Sequence, residues 1–557
     1  MLNRLKSITK SPYFIITAVY LLAHFFLLVL SGCWWDDWTF MSHNLNYVNL
    51  VASGSGRPEW NILIPLCWSL TNNGRILIFF LYLFDSYFVY NILKDSKLFS
   101  IKDSLLITLL FIIIPVNDAR LLISNFPYAV GLFFFFLAFM LFIKWNNSNR
   151  KVLPRVLILL LFLISFILNS LLAFYYVLFI YLFIIDIKDN KENNIIKRVL
   201  ISIKNVIVKY TDFFILPFVY FGLNKLLFPV TSTDFEGRSS ISIMGLIKCI
   251  KYLPLSIINV FKEIYANYFK VLTFIPLLIC LVVFIVIFII KNKTNNKPDT
   301  KKWLIYLLVG FVVLALGLFV YVEVRSSVIY SNGVKGRDTI LVPLGMSIII
   351  YSTYSLFNEK YKQLLCILTI ILGIFSFNSL YIEWQEDYYQ QLSMESLMNN
   401  SIIKNNDTFF LANLDESDIE GERYYSLNTN AYHVFNDETR LFIPKVSNLY
   451  LLESKENVDM AVKDLDYCHM MKDYNPEDYN LDAIIIYSCD YDANEVLRLK
   501  TYELFNKDIF NEIIKNTGDM KTVEVDDDFT SLLISKYNSK EVNDDKDVVN
   551  LLMAYNK

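Results

Sequence analysis

Two adjacent carboxylates, Asp36 and Asp37, stand at the end of the first long apolar segment, enclosed by Trp34, Trp35 and Trp38. An aromatic setting strips water from a carboxylate and shifts its proton affinity, which suits a general base. Two acids sharing one site do not both ionise cheaply, so one is expected to hydrogen-bond while the other, Asp37 by preference, takes a proton. Further on, Gly56-Arg57-Pro58-Glu59-Trp60 sets a base and an acid beside another indole. Asp118 and Arg120 share a short polar segment after Pro115. Arg325 ends another apolar segment, and Arg337 and Asp338 close the stretch Gly333-Val334-Lys335-Gly336-Arg337-Asp338. Guanidinium groups suit bidentate phosphate binding. Arg57, Arg325 and Arg337 are therefore candidates to hold an anionic ligand.

The elements that must position these residues read as membrane helices. The chain has 557 residues, 55% hydrophobic and 19% charged, with a mean hydropathy of +0.42. A crossing helix needs about 20 apolar residues. Eleven candidate segments meet that description, near 12–31, 74–93, 103–117, 126–143, 152–169, 170–187, 207–227, 271–290, 303–322, 338–357 and 363–382. The apolar run 152–187 is too long for one crossing, and Asn169-Ser170 offers a turn within it. Residues 243–270, with Lys248, Lys251, Lys262 and Lys270, read as an amphipathic helix lying on the membrane surface.

The near-neutral net charge of −3 conceals two unlike regions. Residues 383–557 hold 36 acidic and 16 basic residues, whereas residues 1–382 hold 18 acidic and 35 basic ones. Of those 35 bases, 23 fall in the N-terminal segment and in every second loop. The positive-inside rule then places the N-terminus inside and the acidic region, after an odd number of crossings, outside. The first segment is long enough to cross, and no small-residue cleavage site follows it, so it is expected to remain as an anchor. On this topology Asp36, Asp37, Arg57, Glu59, Asp118, Arg120, Arg325, Arg337 and Asp338 all lie on the outer face.

This arrangement resembles the GT-C superfamily of integral-membrane glycosyltransferases, which carry an acidic motif in the first outer loop directly after the first span. Trp35-Asp36-Asp37-Trp38 occupies that place here, and Gly56-Arg57-Pro58 resembles the Gly-Arg-Pro that follows the paired acids in the O-antigen glucosyltransferase family. The resemblance implies a polytopic membrane enzyme that moves a sugar from a polyprenyl-phosphate donor to an extracytoplasmic glycan or lipid-linked acceptor. It implies one of Asp36 and Asp37 as general base, inversion at the anomeric centre, and Arg57, Arg325 and Arg337 on the donor phosphate. Trp35, Trp38 and Trp60 either stack on sugar or anchor at the interface. A divalent metal is left open, with Asp118 as its candidate ligand, because no Asp-x-Asp accompanies it. The implied partners are donor lipid, acceptor glycan and membrane lipid, with no nucleic acid.

The acidic region is expected to form a small extracytoplasmic α/β domain over 383–540, followed by an acidic tail, 541–557. Strands are expected at 407–412, 481–487 and 529–537, and helices at 384–403 and 504–515. His433 and His469 are too poorly accompanied to argue a hydrolase, and Asp526-Asp527-Asp528 reads as a solvated charge run. Seven cysteines show no metal-finger spacing, and only Cys468 and Cys489 share this domain, as a disulfide or as two thiols. The richness in Ile, Asn, Lys, Phe and Tyr, with only 16 Gly, suggests an AT-rich genome and a bacterial plasma membrane. Three other functions compete: a polysaccharide polymerase or ligase, a lipid-linked glycan transporter, and a non-enzymatic sensor anchored by its outer domain, for which eleven spans are excessive. The transporter requires acids within spans, and Asp85 and Asp212 are the candidates.

Overall fold

The computed structural model describes residues 11–34, 37, 45–70, 74–148, 150–231, 243–272, 275–291, 299–331, 333–414, 440–466 and 480–556. The chain divides into two compact units, Met1–Val29 with Asn49–Leu380, and Leu30–Val48 with Tyr381–Lys557.

The first unit is helical. Its principal helices are α1 (Pro12–His24), α2 (Arg75–Asp95), α3 (Ile101–Ile113), α4 (Phe126–Asn146), α5 (Val152–Ser165), α6 (Val177–Asp189), α7 (Ile195–Lys209) and α8 (Thr211–Leu227). Then come α9 (Ile243–Leu272), α10 (Ile275–Lys291), α11 (Thr300–Arg325), α12 (Val342–Tyr354) and α13 (Glu359–Leu397), the last of which runs on past Leu380. Six described helices are long and apolar enough to cross a membrane: Arg75–Asp95, Ile123–Asn146, Leu171–Asp189, Met244–Leu272, Thr300–Arg325 and Glu359–Leu397. There are seven if α7 and α8, bent by 66° at their junction, form one broken span. The protein is thus a helical, membrane-embedded chain.

The count differs from eleven for a physical reason. Four of the segments form helices of only 13–17 residues, α1, α5, α10 and α12. At ~1.5 Å per residue, none covers a hydrocarbon core about 30 Å thick. A fifth segment, α3, has 13 residues. It starts on a capping box between Ser100 and Asp103 and stops before Pro115 and the left-handed Asn117 (φ 59°). Residues 243–270 also differ. They form one unbroken helix long enough to cross, where the sequence predicts one lying flat.

Close packing in this unit follows from small residues and aromatic rings. A Cβ on Gly345 of α12 would stand 2.5 Å from the Leu314 backbone nitrogen of α11, so only glycine lets these two helices approach as they do. Phe162 of α5 is fully buried, with its ring centroid 4.8 Å from Tyr175 and 5.8 Å from Phe135 of α4. The chain does turn between α5 and Leu171, where Leu172 N–H donates to the Asn169 carbonyl at 3.0 Å.

The second unit is a four-stranded sheet with helices on both faces. Strands β1 (Thr408–Asn413), β2 (Leu441–Pro444), β3 (Ala483–Ser488) and β4 (Asp519–Glu524) lie in the order β2-β1-β3-β4. The first three are mutually parallel, and β4 runs antiparallel at the edge. Both faces are covered, so β1 and β3 read as continuous apolar runs. Phe410, Ala412 and Ile484 face one core, and Phe409, Leu411 and Ile485 face the other. Helices α14 (Lys455–Asp466), α15 (Ala493–Phe505), α16 (Lys507–Thr517), α17 (Asp527–Asn538) and α18 (Asp545–Tyr555) complete the unit.

Two expectations are corrected here. Residues 529–537 are helical, because Asp526 caps the turn by accepting from Phe529 N–H at 2.8 Å and Phe529 and Leu533 bury one face. Residues 541–557 are no loose tail. Asp544 caps α18, and Val548, Val549 and Leu552 enter the core. Cys489 is buried, whereas Cys468, His433 and His469 lie outside the described residues.

Candidate functional site

The turn between α3 and α4 and the loop between α11 and α12 meet at Asp118. Left-handed Asn117 swings the chain so that Asp118 opens a short 3-10 turn, Asp118–Leu121. The Asp118 carboxylate is 2% exposed and accepts from Gly333 N–H at 3.0 Å and from Ala119 N–H at 3.1 Å. Charge-assisted bonds of this kind are what make a buried carboxylate tolerable. Gly336 makes the approach possible, since a Cβ there would overlap Asp118 Oδ1 and stand 2.7 Å from the Ser331 carbonyl oxygen. From α9, Glu263 secures the same loop by accepting from Ser331 N–H at 2.6 Å and from the Ser331 hydroxyl at 2.5 Å.

That loop carries the arginine cluster. Arg325, the last residue of α11, bonds Asp338 through Nε, and Arg337 Nε lies 3.9 Å from the other carboxylate oxygen. Burial pushes the Asp338 carboxyl above the usual range, against the opposing pull of Arg325 and then Arg337. The acid is nearly enclosed, but the Arg325 and Arg337 side chains remain 36% and 22% exposed. Arg57 belongs to the same neighbourhood. The Tyr321 hydroxyl, 3.0 Å from Ser170 Oγ, lies within electrostatic reach of both Asp338 and Arg57. Arg325 and Arg337 therefore meet at Asp338, while Arg57 shares with Asp338 only an electrostatic reach to the Tyr321 hydroxyl.

Arg57 is set by a sharp turn. Gly56 adopts φ 68°, and a Cβ on it would stand 2.6 Å from the Phe228 carbonyl oxygen. The Arg57 guanidinium lies 5.2 Å from the Trp60 ring centroid. Beside it, burial raises the proton affinity of Glu59, with Arg57 pulling the other way. Glu59 is thus a half-buried carboxylate next to a guanidinium, a setting typical of acid–base groups.

Arg120 takes a different role. It is 6% exposed, donates to the Asn117 carbonyl at 3.0 Å and the Val116 carbonyl at 3.3 Å, and sits over the Tyr82 and Phe377 rings at 5.0 and 4.8 Å. Its charge acts on Asp85 of α2, which is fully buried and, among the described residues, has neither carboxylate oxygen hydrogen-bonded. A cavity of about 20 Å³ adjoins Asp85, Tyr82, Asn117 and Arg120. Asp212, the other intramembrane acid, is bound at two points by Arg155, at 2.7 and 2.5 Å.

Asp37 belongs to the second unit. Asp36, Trp35 and Trp38 lie outside the described residues. Asp37 is fully buried, and its N–H donates to the Trp34 carbonyl at 2.9 Å. Trp34 packs edge-on against Trp384 at 5.3 Å, and Lys500 Nζ donates to Ser31 Oγ and Glu503 Oε2 at 2.9 and 2.8 Å. Among the described residues, no three His, Cys, Asp or Glu side chains come together as metal ligands. Tyr321, Ser170, Glu263 and Gly336 escape sequence reasoning. An aromatic or serine in an apolar segment carries no signal, and the signal that could have marked the close approach is the pair Gly333 and Gly336 just before Arg337-Asp338. The chain matches no protein-family model and no curated protein sequence.

Proposed function

We propose that the protein is a GT-C type glycosyltransferase that takes a sugar from a polyprenyl-phosphate carrier and places it on an extracytoplasmic glycan or lipid-linked acceptor. The supporting observation is the meeting of Arg325 and Arg337 at the buried Asp338 in the membrane-embedded unit, with Arg57 within electrostatic reach of the neighbouring Tyr321 hydroxyl. Partly exposed guanidiniums beside a buried carboxylate suit a lipid phosphate at the membrane surface. In this reading the short apolar helices complete their crossings with flanking residues while α9 lies along the membrane surface, giving eleven spans with the N-terminus inside a bacterial plasma membrane. The α/β unit then lies outside.

The reaction balances simply. The acceptor hydroxyl oxygen attacks the anomeric carbon, and the carbon–oxygen bond to the phosphate breaks. The hydroxyl proton goes to one of Asp36 and Asp37, and the polyprenyl phosphate leaves with the bond pair. The anomeric centre inverts. Arginines are strongest where charge develops, on the departing phosphate. Asp118 serves as a hinge for the arginine loop in this reading, since its oxygens accept from backbone amides.

The test compares surface glycans by mass spectrometry in wild-type, deletion, Asp36→Asn, Asp37→Asn and Arg57→Ala/Arg325→Ala strains. Loss of one sugar substituent in the deletion and in the arginine variant is expected. Loss of chain length instead would indicate a polymerase. Unchanged glycans in every strain, at normal protein levels, overturn the proposal. A glycan transporter is the second reading, favoured by the buried Asp85 next to Arg120. It predicts lipid-linked precursor accumulating intact in the deletion strain.

A further inference from the structure

A second feature of the membrane-embedded unit lies away from the arginine loop. Beside the tight turn joining α4 to α5 opens a cavity of about 480 Å³, walled by Leu141, Trp145, Leu157 and Ile158 and bordered by Lys144 and Lys151. That volume is within the range of small-molecule sites, about 300–1,000 Å³.

The turn is rigidly built. The Trp145 indole N–H donates to the Lys151 carbonyl at 2.8 Å, and Ser148 Oγ donates to the Trp145 carbonyl at 2.9 Å. Asn147 Nδ2 ties the turn to the Asp95 carbonyl at 2.9 Å. Two of the acids nearby are engaged elsewhere. Asp212 is held by the two-pronged Arg155, whose guanidinium lies 5.4 Å from the Trp145 ring and 5.7 Å from that of Phe213. Asp95 pairs with Lys94 at 3.5 Å. Among the described residues neither Lys144 nor Lys151 forms an ion pair. Arg150 and Lys209 lie within electrostatic reach of each other at the same end, adding like charge.

The walls identify the ligand class. Val152 and Leu153, at the start of α5, are 75% and 81% exposed, and Leu157 continues that apolar face into the cavity. A water-soluble anion would gain from the lysines but nothing from these walls. A lipid gains from both, with phosphate at the lysines and acyl chains along α5. The turn is also among the segments whose lysines and arginines mark the inner side by sequence.

We propose that this groove binds the phosphate headgroup of an anionic membrane lipid through Lys144 and Lys151, independently of the glycosyltransferase reading. The purified full chain in neutral detergent, titrated with phosphatidylglycerol and followed by native mass spectrometry, tests it. Each lysine near an anionic surface contributes about 1 kcal/mol, so Lys144→Gln/Lys151→Gln should weaken phosphatidylglycerol binding about 30-fold. Lys144→Arg/Lys151→Arg should retain binding, and Lys197→Gln should leave it unchanged. Equal affinity in wild type and the double glutamine variant overturns the proposal. So does equally tight phosphatidylcholine binding. Inorganic phosphate that displaces the lipid at matched concentration marks a plain phosphate site and overturns the lipid assignment.

Discussion

Gly336→Ala tests whether the arginine loop is held by close approach to Asp118. The new methyl would overlap Asp118 Oδ1 and stand 2.7 Å from the Ser331 carbonyl oxygen. Neither neighbour yields easily. Two backbone amides pin the carboxylate, and the Ser331 amide and hydroxyl are bonded to Glu263. Overpacking of this kind costs about 1–3 kcal/mol. A central value of about 2 kcal/mol raises the population of the locally open loop about 30-fold. Hydrogen–deuterium exchange in detergent, read on peptides covering 115–125 and 333–341, should accelerate by that factor while peptides in α2 stay unchanged. Asp118→Ala alone should open the same peptides, because it strands the Gly333 and Ala119 amides, at about 1–3 kcal/mol for each buried group. In the double variant the overlap with the carboxylate is gone while that with the Ser331 carbonyl oxygen remains, so Gly336→Ala costs less than it does alone. Unchanged exchange in Gly336→Ala, or full additivity in the double variant, would refute the loop–turn contact.

Two further predictions concern Glu59 and Trp34. Burial raises the folded-state proton affinity of Glu59, so the folded chain holds that proton more tightly than the unfolded chain does. Its ionisation therefore costs stability as pH rises from the ordinary glutamate range through the raised folded value. Thermal unfolding of Glu59→Gln should match wild type below that window and exceed it above, and a constant difference across pH would count against the burial. Trp34 is fully buried against Trp384. Trp34→Ala should therefore destabilise the α/β unit by about 3–5 kcal/mol. Faster exchange in 381–397 is expected, and its absence would remove the segment from that core.

Much of the fold was legible because burial on all sides leaves a plain apolar signal. Helices α2, α4, α11 and α13 and strands β1 and β3 show it, and none needs a partner to be recognised. What the pattern could not supply is helix length, since an apolar run does not say where the backbone turns. Asn117 in the left-handed region and the bend between α7 and α8 are local backbone events inside apolar text. Strand β2 has four residues and ends on Pro444, too short for any alternation to show. The error at 529–537 is instructive. Leu532, Leu533 and Ile534 look like a strand, but Asp526 three positions before Phe529 is a helix cap, and the cap wins because it satisfies an otherwise orphaned amide.

The candidate site was legible in part, for a reason of topology. Arg57, Arg325 and Arg337 are far apart in sequence, but the positive-inside expectation groups them on one side, and the fold brings Arg325 and Arg337 to Asp338 with Arg57 within electrostatic reach of Tyr321. Asp338 looked like a neighbour of Arg337 and proves to be a joint between Arg325 and Arg337, buried so that its charge is strongly felt. The stretch 32–73 illustrates the opposite case. It reads as one stretch carrying Asp36, Asp37, Arg57 and Glu59, and sequence nearness invites a single role. The chain divides it at Val48, assigning Asp37 to the α/β unit and Arg57 to the membrane-embedded one. The division follows from what each half buries. Trp34 finds its partner in Trp384, whereas Gly56 turns against Phe228. Each contact lies within its own unit, so hydrophobic burial, and not position along the chain, decides which neighbours Asp37 and Arg57 have.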